Sequence, residues 1–523
     1  MHSLTSNIPP NIPLSSRKSS NKTQSGLRIR ASQILSSDKH KTQHHPHQRQ
    51  HQQSSIPVLD SISTLVQLRL HNNSHNQQPQ FIDWNSLDAA AHATPISSPK
   101  EEISLQWRQL VNSNYDFDQL IDPLQPWLRR EIIKYGEFAQ ATYDAFDFDS
   151  HSEYCGSCRY GIHNLFNKLG LGNHGYRATK HIYAMSHVDV PQWLQRSNLV
   201  DTWSKDSNWM GYVAVSDDEE SRRIGRRDIL VAWRGTVAPS EWFEDLQGKL
   251  EPIEKDSNEV KVEHGFLDIY RSKNESTRYN KSSASEQVMA EIRRLVSVYK
   301  AKGEEVGVTI TGHSLGGALA LLNAYELAAS AIPNVAINVV SFGAPRVGNI
   351  AFRDKLHEQG VKTLRVRVKQ DLVPRMPGIL FNEESLQMFE EITGTLDWVY
   401  THVGAELRLD AVESPYLKTG LNLVGWHSLE TYLHLIDGHV SGNSRFRKEA
   451  RRDVALVNKS CGMLIDDLRI PACWYQLENK GLVKNSYGRW VKPRRNPEDI
   501  PTQCSHCVED HHDHCVEAVT CLA

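Results

Sequence analysis

The residues with the clearest chemical potential lie around Ser314. Residues 312–316 read Gly-His-Ser-Leu-Gly, a Gly-x-Ser-x-Gly pattern between two contrasting runs. Alternating β-branched residues at 306–310 predict a strand, and small and apolar residues at 315–328 predict a helix. A serine at such a strand-to-helix turn is raised above the sheet edge as a nucleophile. The alternatives are a serine in an ordinary glycine-rich turn and a similar fold without activity.

A serine nucleophile needs a base and a carboxylate further along the chain. Asp371 follows the predicted strand at residues 362–368, where a carboxylate can orient a histidine. The order of serine, acid, histidine that accompanies this turn places the base after residue 371. The candidates are His402, His427, His434 and His439. We predict His427, which directly precedes a helical run. His434 falls within that run, His439 lies beyond it, and His402 precedes a predicted strand at 406–409.

Alternating strands and helices must position these groups. Apolar runs predict strands at 181–185, 209–215, 229–233, 306–310, 335–342 and 362–368. Apolar spacing of three and four predicts helices from Pro126 to Tyr143 and over 285–300, and we interpret the first as a core helix only. The pattern indicates an α/β fold, a central and mostly parallel mixed sheet flanked by helices.

The strand at 229–233 ends in Arg-Gly-Thr, and residues 237–246 follow it. That following stretch places Trp242 and Phe243 among acidic residues, as in a short amphipathic flap. An apolar flap beside a nucleophile suits opening at a lipid surface. The alternative is a surface helix that packs both aromatic residues inward.

The two ends of the chain differ from its middle. Residues 1–80 are rich in Ser, Asn, Gln, His and basic residues, which predicts a disordered leader that begins as an organelle transit peptide. The alternative is an unprocessed tail. We predict a folded domain over residues 101–490 and a disordered Cys/His-rich tail over residues 496–523. We interpret the Cys155-x-x-Cys158 pair as part of a structural loop; the alternatives are a redox pair and half of a zinc site. We interpret the tail as disordered, with weak metal binding as its alternative, and we expect no metal or cofactor in the catalytic site.

The net charge and the distribution of apolar residues limit the classes of partner that the sequence supports. A net charge of −3 gives no sign of nucleic-acid binding. The sequence has no run of 18 apolar residues, the length from which a transmembrane helix is suspected.

The surroundings of Ser314, Asp371 and His427 resemble those of the class 3 lipases, which have an α/β-hydrolase fold of the fungal lipase type. Within that family the chain is similar to the plastid-targeted plant class I phospholipase A1 group, of the kind called defective-in-anther-dehiscence. Further matching stretches are 129–147, 154–160, 232–236, 341–348, 371–374 and 427–432.

The resemblance implies a plastid enzyme, peripheral to membranes, that hydrolyses the sn-1 acyl ester of phosphatidylcholine and galactolipids. The released fatty acids can feed jasmonate synthesis. It places the oxyanion donors at the backbone N–H groups of Thr236 and Leu315, and it makes the flap with Trp242 and Phe243 a short lid. The alternatives are a non-catalytic lipase-fold signalling scaffold, a triacylglycerol lipase, and an esterase for small soluble esters.

Overall fold

The computed structural model describes residues 101–112, 117–149, 152–185, 207–236, 249–254, 256–330, 332, 335–377, 399–442, 444–447, 450–475 and 482–501. The predicted leader, the flap at 237–246 and residues 502–523 of the predicted tail lie outside these ranges.

A seven-stranded sheet forms the centre of the described part. Its strands are β1 (Tyr176–Ala184), β2 (Asn208–Ser216), β3 (Arg227–Trp233), β6 (Val306–His313), β7 (Ala336–Phe342), β8 (Lys362–Val368) and β9 (Ala405–Leu409), in that spatial order. The pairs from β3 to β9 are parallel, whereas β1, β2 and β3 are antiparallel neighbours. Two short hairpins pair β4 (Leu250–Pro252) with β5 (Lys261–Glu263), and β10 (Val483–Lys484) with β11 (Trp490–Val491). The predicted mostly parallel mixed sheet is therefore confirmed.

Helices cover both faces of this sheet. They are α1 (Ser104–Asn112), α2 (Asp118–Ile121), α3 (Pro126–Asp144), α4 (Leu165–Lys168), α5 (Asp218–Ile224), α6 (His264–Arg271), α7 (Ala284–Ala301), α8 (Leu315–Ala329), α9 (Ile350–Glu358), α10 (Leu423–Trp426) and α11 (Leu429–Gly438). Helices α3 and α11 share one apolar core with one face of the sheet, and α6, α7 and α8 share a second core with the other. Both cores form because alternate residues of a strand point to opposite faces.

The parallel strands bring their carboxyl ends to one edge. Strands β3, β6, β7 and β8 end there, and the loops that follow them carry Thr236, Ser314 and Asp371. Open α/β sheets place their sites at this edge. We call it the catalytic edge from here on.

Strand β1 begins at Tyr176, five residues before the start predicted at residue 181. It lies at the border of the sheet, and its pairing with β2 shifts register between Ala178 and Lys180. The exposed Arg177 and the half-buried Lys180 belong to this outer strand. A border strand with a bulge does not show clean apolar alternation, so the pattern underestimated its length.

Candidate active site

Ser314 occupies a strained turn between β6 and α8. Its backbone has φ 58° and ψ −128°, a positive φ that is uncommon for a residue other than glycine. A Cβ on Gly312 would lie 2.2 Å from the carbonyl oxygen of Gly316, and a Cβ on Gly316 would lie 2.3 Å from the carbonyl oxygen of Trp233. The two glycines are therefore required by close backbone approach, as the Gly-x-Ser-x-Gly pattern indicates.

Asp371 and His427 meet at the catalytic edge. His427 Nδ1 lies 2.7 Å from Asp371 Oδ2, and both side chains are buried. An ionised carboxylate only accepts hydrogen bonds, so Nδ1 carries the proton and Nε2 is left as a base. Nε2 is buried and has no hydrogen-bond partner among the described residues. The imidazole is thus held in the tautomer that accepts a proton at Nε2.

The same imidazole lies beside the Ser314 turn. Its ring centroid is 4.6 Å from that of His313, the residue directly before Ser314. The structure therefore brings together the three regions that the sequence selected, although they are separated by more than 50 residues each.

Asp371 has two further partners that sequence reasoning missed. Tyr432 Oη donates to Asp371 Oδ2 at 2.6 Å, and the backbone N–H of Val373 donates to Oδ1 at 2.9 Å. Burial, followed by the charge of Asp371, raises the pKa of Tyr432 well above its usual value. The phenol therefore stays protonated and keeps donating. Tyr432 lies five residues after His427, and only the fold shows that both side chains reach one carboxylate.

His313 ties the Ser314 turn to the backbone of His427. Its Nε2 lies 2.8 Å from the His427 carbonyl oxygen, which can only accept, so Nε2 donates. Its Nδ1 then accepts from Tyr143 Oη at 2.7 Å. Burial lowers the pKa of His313 well below the ordinary value, and the neighbouring His427 adds to the effect. Our interpretation of α3 as a core helix only was wrong, because Tyr143 near its end reaches this site.

The loop after β3 packs directly against Ser314. A Cβ on Gly235 would lie 3.1 Å from Ser314 Cβ and 2.2 Å from Tyr143 Oη. Arg234 Nη1 donates to the Gly235 carbonyl at 2.9 Å, and its Nε donates to the Trp209 carbonyl at 3.0 Å. The peptide that follows Gly235 is planar and trans, so its N–H, on Thr236, points away from the guanidinium. Arg234 thereby fixes the orientation of Thr236 N–H.

Arg234 is a buried cation without a described carboxylate partner. Its guanidinium lies 3.7 Å from the ring centroid of Phe146, and no carboxylate in the described ranges lies within ion-pair distance of it. Burial lowers the pKa of Arg234 to about 10, which still leaves it charged at neutral pH. Sequence reasoning noted only where the Arg-Gly-Thr segment lies and assigned Arg234 no task.

Leu315 is the first residue of α8. The first four N–H groups of a helix have no acceptor within it. The N–H of Leu315 is therefore available directly after Ser314.

The alternative histidines lie in other surroundings. His434 Nε2 is 2.8 Å from Ser414 Oγ, and burial lowers its pKa to about 3. Burial also lowers the pKa of His402 well below normal, with Arg365 and two further arginines contributing. Among the weighed histidines for which the structure describes contacts, His427 is the one that bonds Asp371.

The remaining predicted features are the flap aromatic residues, the Cys155–Cys158 pair, metal sites and membrane-spanning helices. Trp242 and Phe243 lie outside the described residues. Cys155 and Cys158 are unbridged, and burial raises the pKa of Cys158 to about 12. Within the described ranges, no group of three or more His, Cys, Asp or Glu residues is arranged to hold a metal ion. The same ranges hold no helix with the length and hydropathy to cross a bilayer.

Comparison with known proteins decides the family. The lipase (class 3) family model matches residues 230–381. Phospholipase A1-Igamma1, chloroplastic, from Arabidopsis thaliana is 45% identical over 403 residues, which cover 74% of this chain and 78% of that protein. Phospholipase A1-Igamma2, chloroplastic, from the same plant is 43% identical over 473 residues, 86% of this chain and 88% of that protein. This chain belongs to the plant phospholipase A1 group of the class 3 lipases.

The predicted family resemblance is therefore confirmed, and with it the class of serine ester hydrolases. The crystal structure of a lipase from Rhizopus microsporus var. chinensis aligns at 20% identity with a TM-score of 0.34, over 55% of this chain and 76% of that one.

Proposed function

We propose that this member of the phospholipase A1 group hydrolyses the sn-1 acyl ester of phosphatidylcholine and plastid galactolipids, with Ser314 as nucleophile, His427 as base and Asp371 as its orienting carboxylate. The observation that carries the proposal is the His427–Asp371 pair, which leaves a buried and unpartnered Nε2 next to the Ser314 turn. A general base needs this protonation state.

The reaction runs in two halves. Nε2 of His427 takes the Ser314 hydroxyl proton while Oγ attacks the ester carbonyl carbon. The carbonyl π electrons move to its oxygen, and the resulting oxyanion accepts hydrogen bonds from Thr236 N–H and Leu315 N–H. Collapse of this intermediate breaks the ester C–O bond, and the lysolipid alkoxide leaves with the proton from His427. Water, deprotonated by His427, then attacks the acyl carbon of the acyl-enzyme. The bond between that carbon and Ser314 Oγ breaks, His427 returns the proton to Oγ, and the fatty acid is released.

Asp371 stabilises the imidazolium that forms in both halves. Its three donors, on His427, Tyr432 and Val373, hold the carboxylate in one orientation. Each oxyanion donor contributes about 2.7–4 kcal/mol to lowering the barrier in comparable sites. These steps use neither a metal nor a cofactor.

The surroundings of this chemistry are part of the proposal. Residues 1–80 act as a transit peptide and leader that deliver the enzyme to the plastid, which agrees with relatives that are named chloroplastic. Residues 101–490 form the catalytic domain, and a short lid carries Trp242 and Phe243. A short lid leaves room for polar head groups, which favours phospholipids and galactolipids over triacylglycerol. The fatty acids released can enter jasmonate synthesis.

The test uses purified protein with mixed-chain phosphatidylcholine, mono- and digalactosyldiacylglycerol and triacylglycerol, and identifies the released and the retained chains. We expect release of the sn-1 chain from the polar lipids. Ser314→Ala should lower the rate about 10⁴-fold or more with the fold intact. Ser330→Ala is the matched control, since Ser330 lies at the opposite end of α8 and its hydrogen bonds within the described residues go to the Leu327 carbonyl of that helix.

A non-catalytic scaffold is the competing hypothesis of another class. Labelling by a fluorophosphonate probe separates the two: an active nucleophile at Ser314 reacts, and the Ser314→Ala variant does not. Wild-type protein that resists the probe and releases no fatty acid would contradict the proposal.

A further inference from the structure

The hairpin of β10 and β11, residues 482–492, carries five large apolar side chains that are exposed in the described structure. Tyr487 is 88% exposed and Trp490 is 66% exposed, and Leu482, Val483 and Val491 are also exposed. In the register of the two strands, Val483 faces Val491, whereas Lys484 faces Trp490. Apolar groups therefore occupy both faces, and a hairpin of this size is only marginally stable in water alone.

The tip of this hairpin is nevertheless well ordered by hydrogen bonds. Asn485 Oδ1 accepts from the backbone N–H groups of Tyr487 and Arg489, both at 3.0 Å. Asn485 N–H donates to the Arg489 carbonyl at 2.8 Å, and Gly488 supplies the positive φ of 76° that the turn requires. The exposed side chains are thus presented on a defined turn.

The same segment is strongly basic. It carries Lys484, Arg489, Lys492 and Arg494, all exposed, and residues 482–497 contain neither Asp nor Glu. The chain as a whole has a net charge of −3, so this positive charge is local. Tryptophan and tyrosine favour the interface between water and lipid, and basic residues are attracted to anionic lipid head groups.

An anchor places the hairpin near the catalytic edge. Arg495 Nη2 donates to Asp147 Oδ2 at 2.6 Å, and its Nη1 donates to the Cys158 carbonyl at 2.9 Å. Asp147 directly follows Phe146, whose ring lies under the Arg234 guanidinium beside the Thr236 loop. Three residues separate the end of β11 at Val491 from Arg495, so their Cα atoms lie at most about 14 Å apart.

A second contact holds the chain beyond the anchor. Asp499 Oδ1 accepts from Gly161 N–H at 2.8 Å, and Tyr279 Oη donates to the Pro501 carbonyl at 3.3 Å. The first residues of the predicted tail, up to residue 501, are therefore packed on the body. The hairpin is fixed near the catalytic edge at its carboxyl-terminal side.

We propose that residues 482–492 form a membrane-docking hairpin that binds an anionic lipid surface and holds the catalytic edge against it. The aromatic and aliphatic side chains enter the interfacial layer, and the basic side chains contact lipid phosphates or other anionic head groups. This inference rests on the proposed function for its purpose, but the binding itself is independent of hydrolysis.

The test measures sedimentation of the full chain with vesicles, in a Ser314→Ala background so that the lipids stay intact. The vesicles are phosphatidylcholine alone or phosphatidylcholine mixed with phosphatidylglycerol. Lys484→Gln/Arg489→Gln should weaken binding to the mixed vesicles about 25-fold, since each basic residue near an anionic surface contributes roughly fivefold. It should leave binding to phosphatidylcholine unchanged. Tyr487→Ser/Trp490→Ser should weaken binding to both about tenfold or more.

The matched control is Leu105→Ser/Lys302→Gln. Leu105 is 68% exposed on α1, and Lys302 is exposed just before β6, so both lie near the amino-terminal ends of the parallel strands, opposite the catalytic edge. This control should bind both vesicles like the parent. With Ser314 present, the hairpin variants should lose hydrolysis of vesicle lipids in parallel with binding and keep hydrolysis of a monomeric soluble ester.

Three results would overturn the inference: hairpin variants that bind like the parent, a control that loses binding equally, or hairpin variants that also lose soluble-ester hydrolysis. A dimer in solution that dissociates on Tyr487→Ser/Trp490→Ser, with vesicle binding unchanged, would instead make the hairpin a contact between copies. Hairpin-dependent binding by wild-type protein that hydrolyses no lipid would defeat the proposed function and leave the docking surface standing.

Discussion

Replacing Arg234 with methionine removes the guanidinium that holds the Gly235 carbonyl and, through the planar peptide, orients Thr236 N–H. A hydrogen bond to a charged group contributes about 1.5–3 kcal/mol. If this whole free energy is lost from the stabilisation of the transition state, kcat falls about 10- to 150-fold, since each 1.36 kcal/mol of barrier is a factor of ten in rate. Complete loss of an oxyanion donor sets the upper limit, at about 2.7–4 kcal/mol. KM should change little, because the oxyanion forms only after binding.

The effect of this change on stability should be small. Arg234→Met loses hydrogen bonds to the Trp209 and Gly235 carbonyls, but it also relieves the burial of a cation that no described carboxylate neutralises. The two contributions oppose each other. We expect the unfolding free energy to change by less than about 2 kcal/mol. Arg234 is thus a positioning residue, and its loss should lower kcat with little change in the free energy of unfolding.

Arg159→Met is the matched control. Arg159 is a second buried arginine, and it bonds the Phe146 carbonyl at 3.1 Å and Asp147 at 3.3 Å. Its removal breaks a buried ion pair, which typically costs about 3–5 kcal/mol of stability, although Arg495 still partners Asp147 here. The folded fraction should keep its kcat.

The assay combines kinetics on a soluble ester, counting of active sites with a fluorophosphonate probe, and urea unfolding. Arg234→Met with unchanged kcat per active site would refute the reasoning, and so would a raised KM at constant kcat. Either result would mean that the Gly235 carbonyl needs no guanidinium to present Thr236 N–H.

Three further predictions follow from the same contacts. Tyr432 donates to Asp371 and Tyr176 donates to Asp228, so Tyr432→Phe and Tyr176→Phe each remove a buried phenol–carboxylate hydrogen bond and should lower the unfolding free energy by about 1.5–3 kcal/mol. Only Tyr432→Phe, which alters the partner of His427, should also lower kcat, by about tenfold. Equal kcat values for the two variants would be the contrary result. Gly316→Ala places a Cβ 2.3 Å from a β3 carbonyl and should destabilise by about 3 kcal/mol or more, whereas Gly420→Ala, with nothing within 4 Å, should be nearly neutral by urea unfolding. Burial lowers the pKa of His181 to about 4 in the folded state, whereas the ordinary value of 6.5 applies in the unfolded state. Below pH 6.5 the unfolded state therefore binds more protons at His181, and the protein loses stability as the pH falls from 6.5 toward 4. Between pH 7 and pH 5 the loss is about 2 kcal/mol, and His181→Gln, compared by urea midpoints at the two pH values, should show a correspondingly flatter dependence.

The sequence by itself determined the local parts of this protein. The helix predicted from Pro126 through Tyr143 is α3, Pro126–Asp144, because a proline at the first turn and a regular apolar face are local signals. Strand β8 was predicted with its observed bounds, Lys362–Val368, and the Gly-x-Ser-x-Gly turn was predicted from its flanking strand and helix. The chain order of serine, acid and histidine placed the base after Asp371, and the position directly before a helical run favoured His427 among four candidates.

Only the tertiary structure decided which distant groups touch. Tyr432 reaches Asp371 across 61 residues, and Tyr143 reaches His313 across 170. The periodicity of apolar residues indicates which face of a segment is buried. It does not indicate which loops lie together at an edge of the sheet, because that depends on the spatial order of the strands. The pairing of β10 with β11, which involves two residues on each side, is likewise too short to leave a pattern.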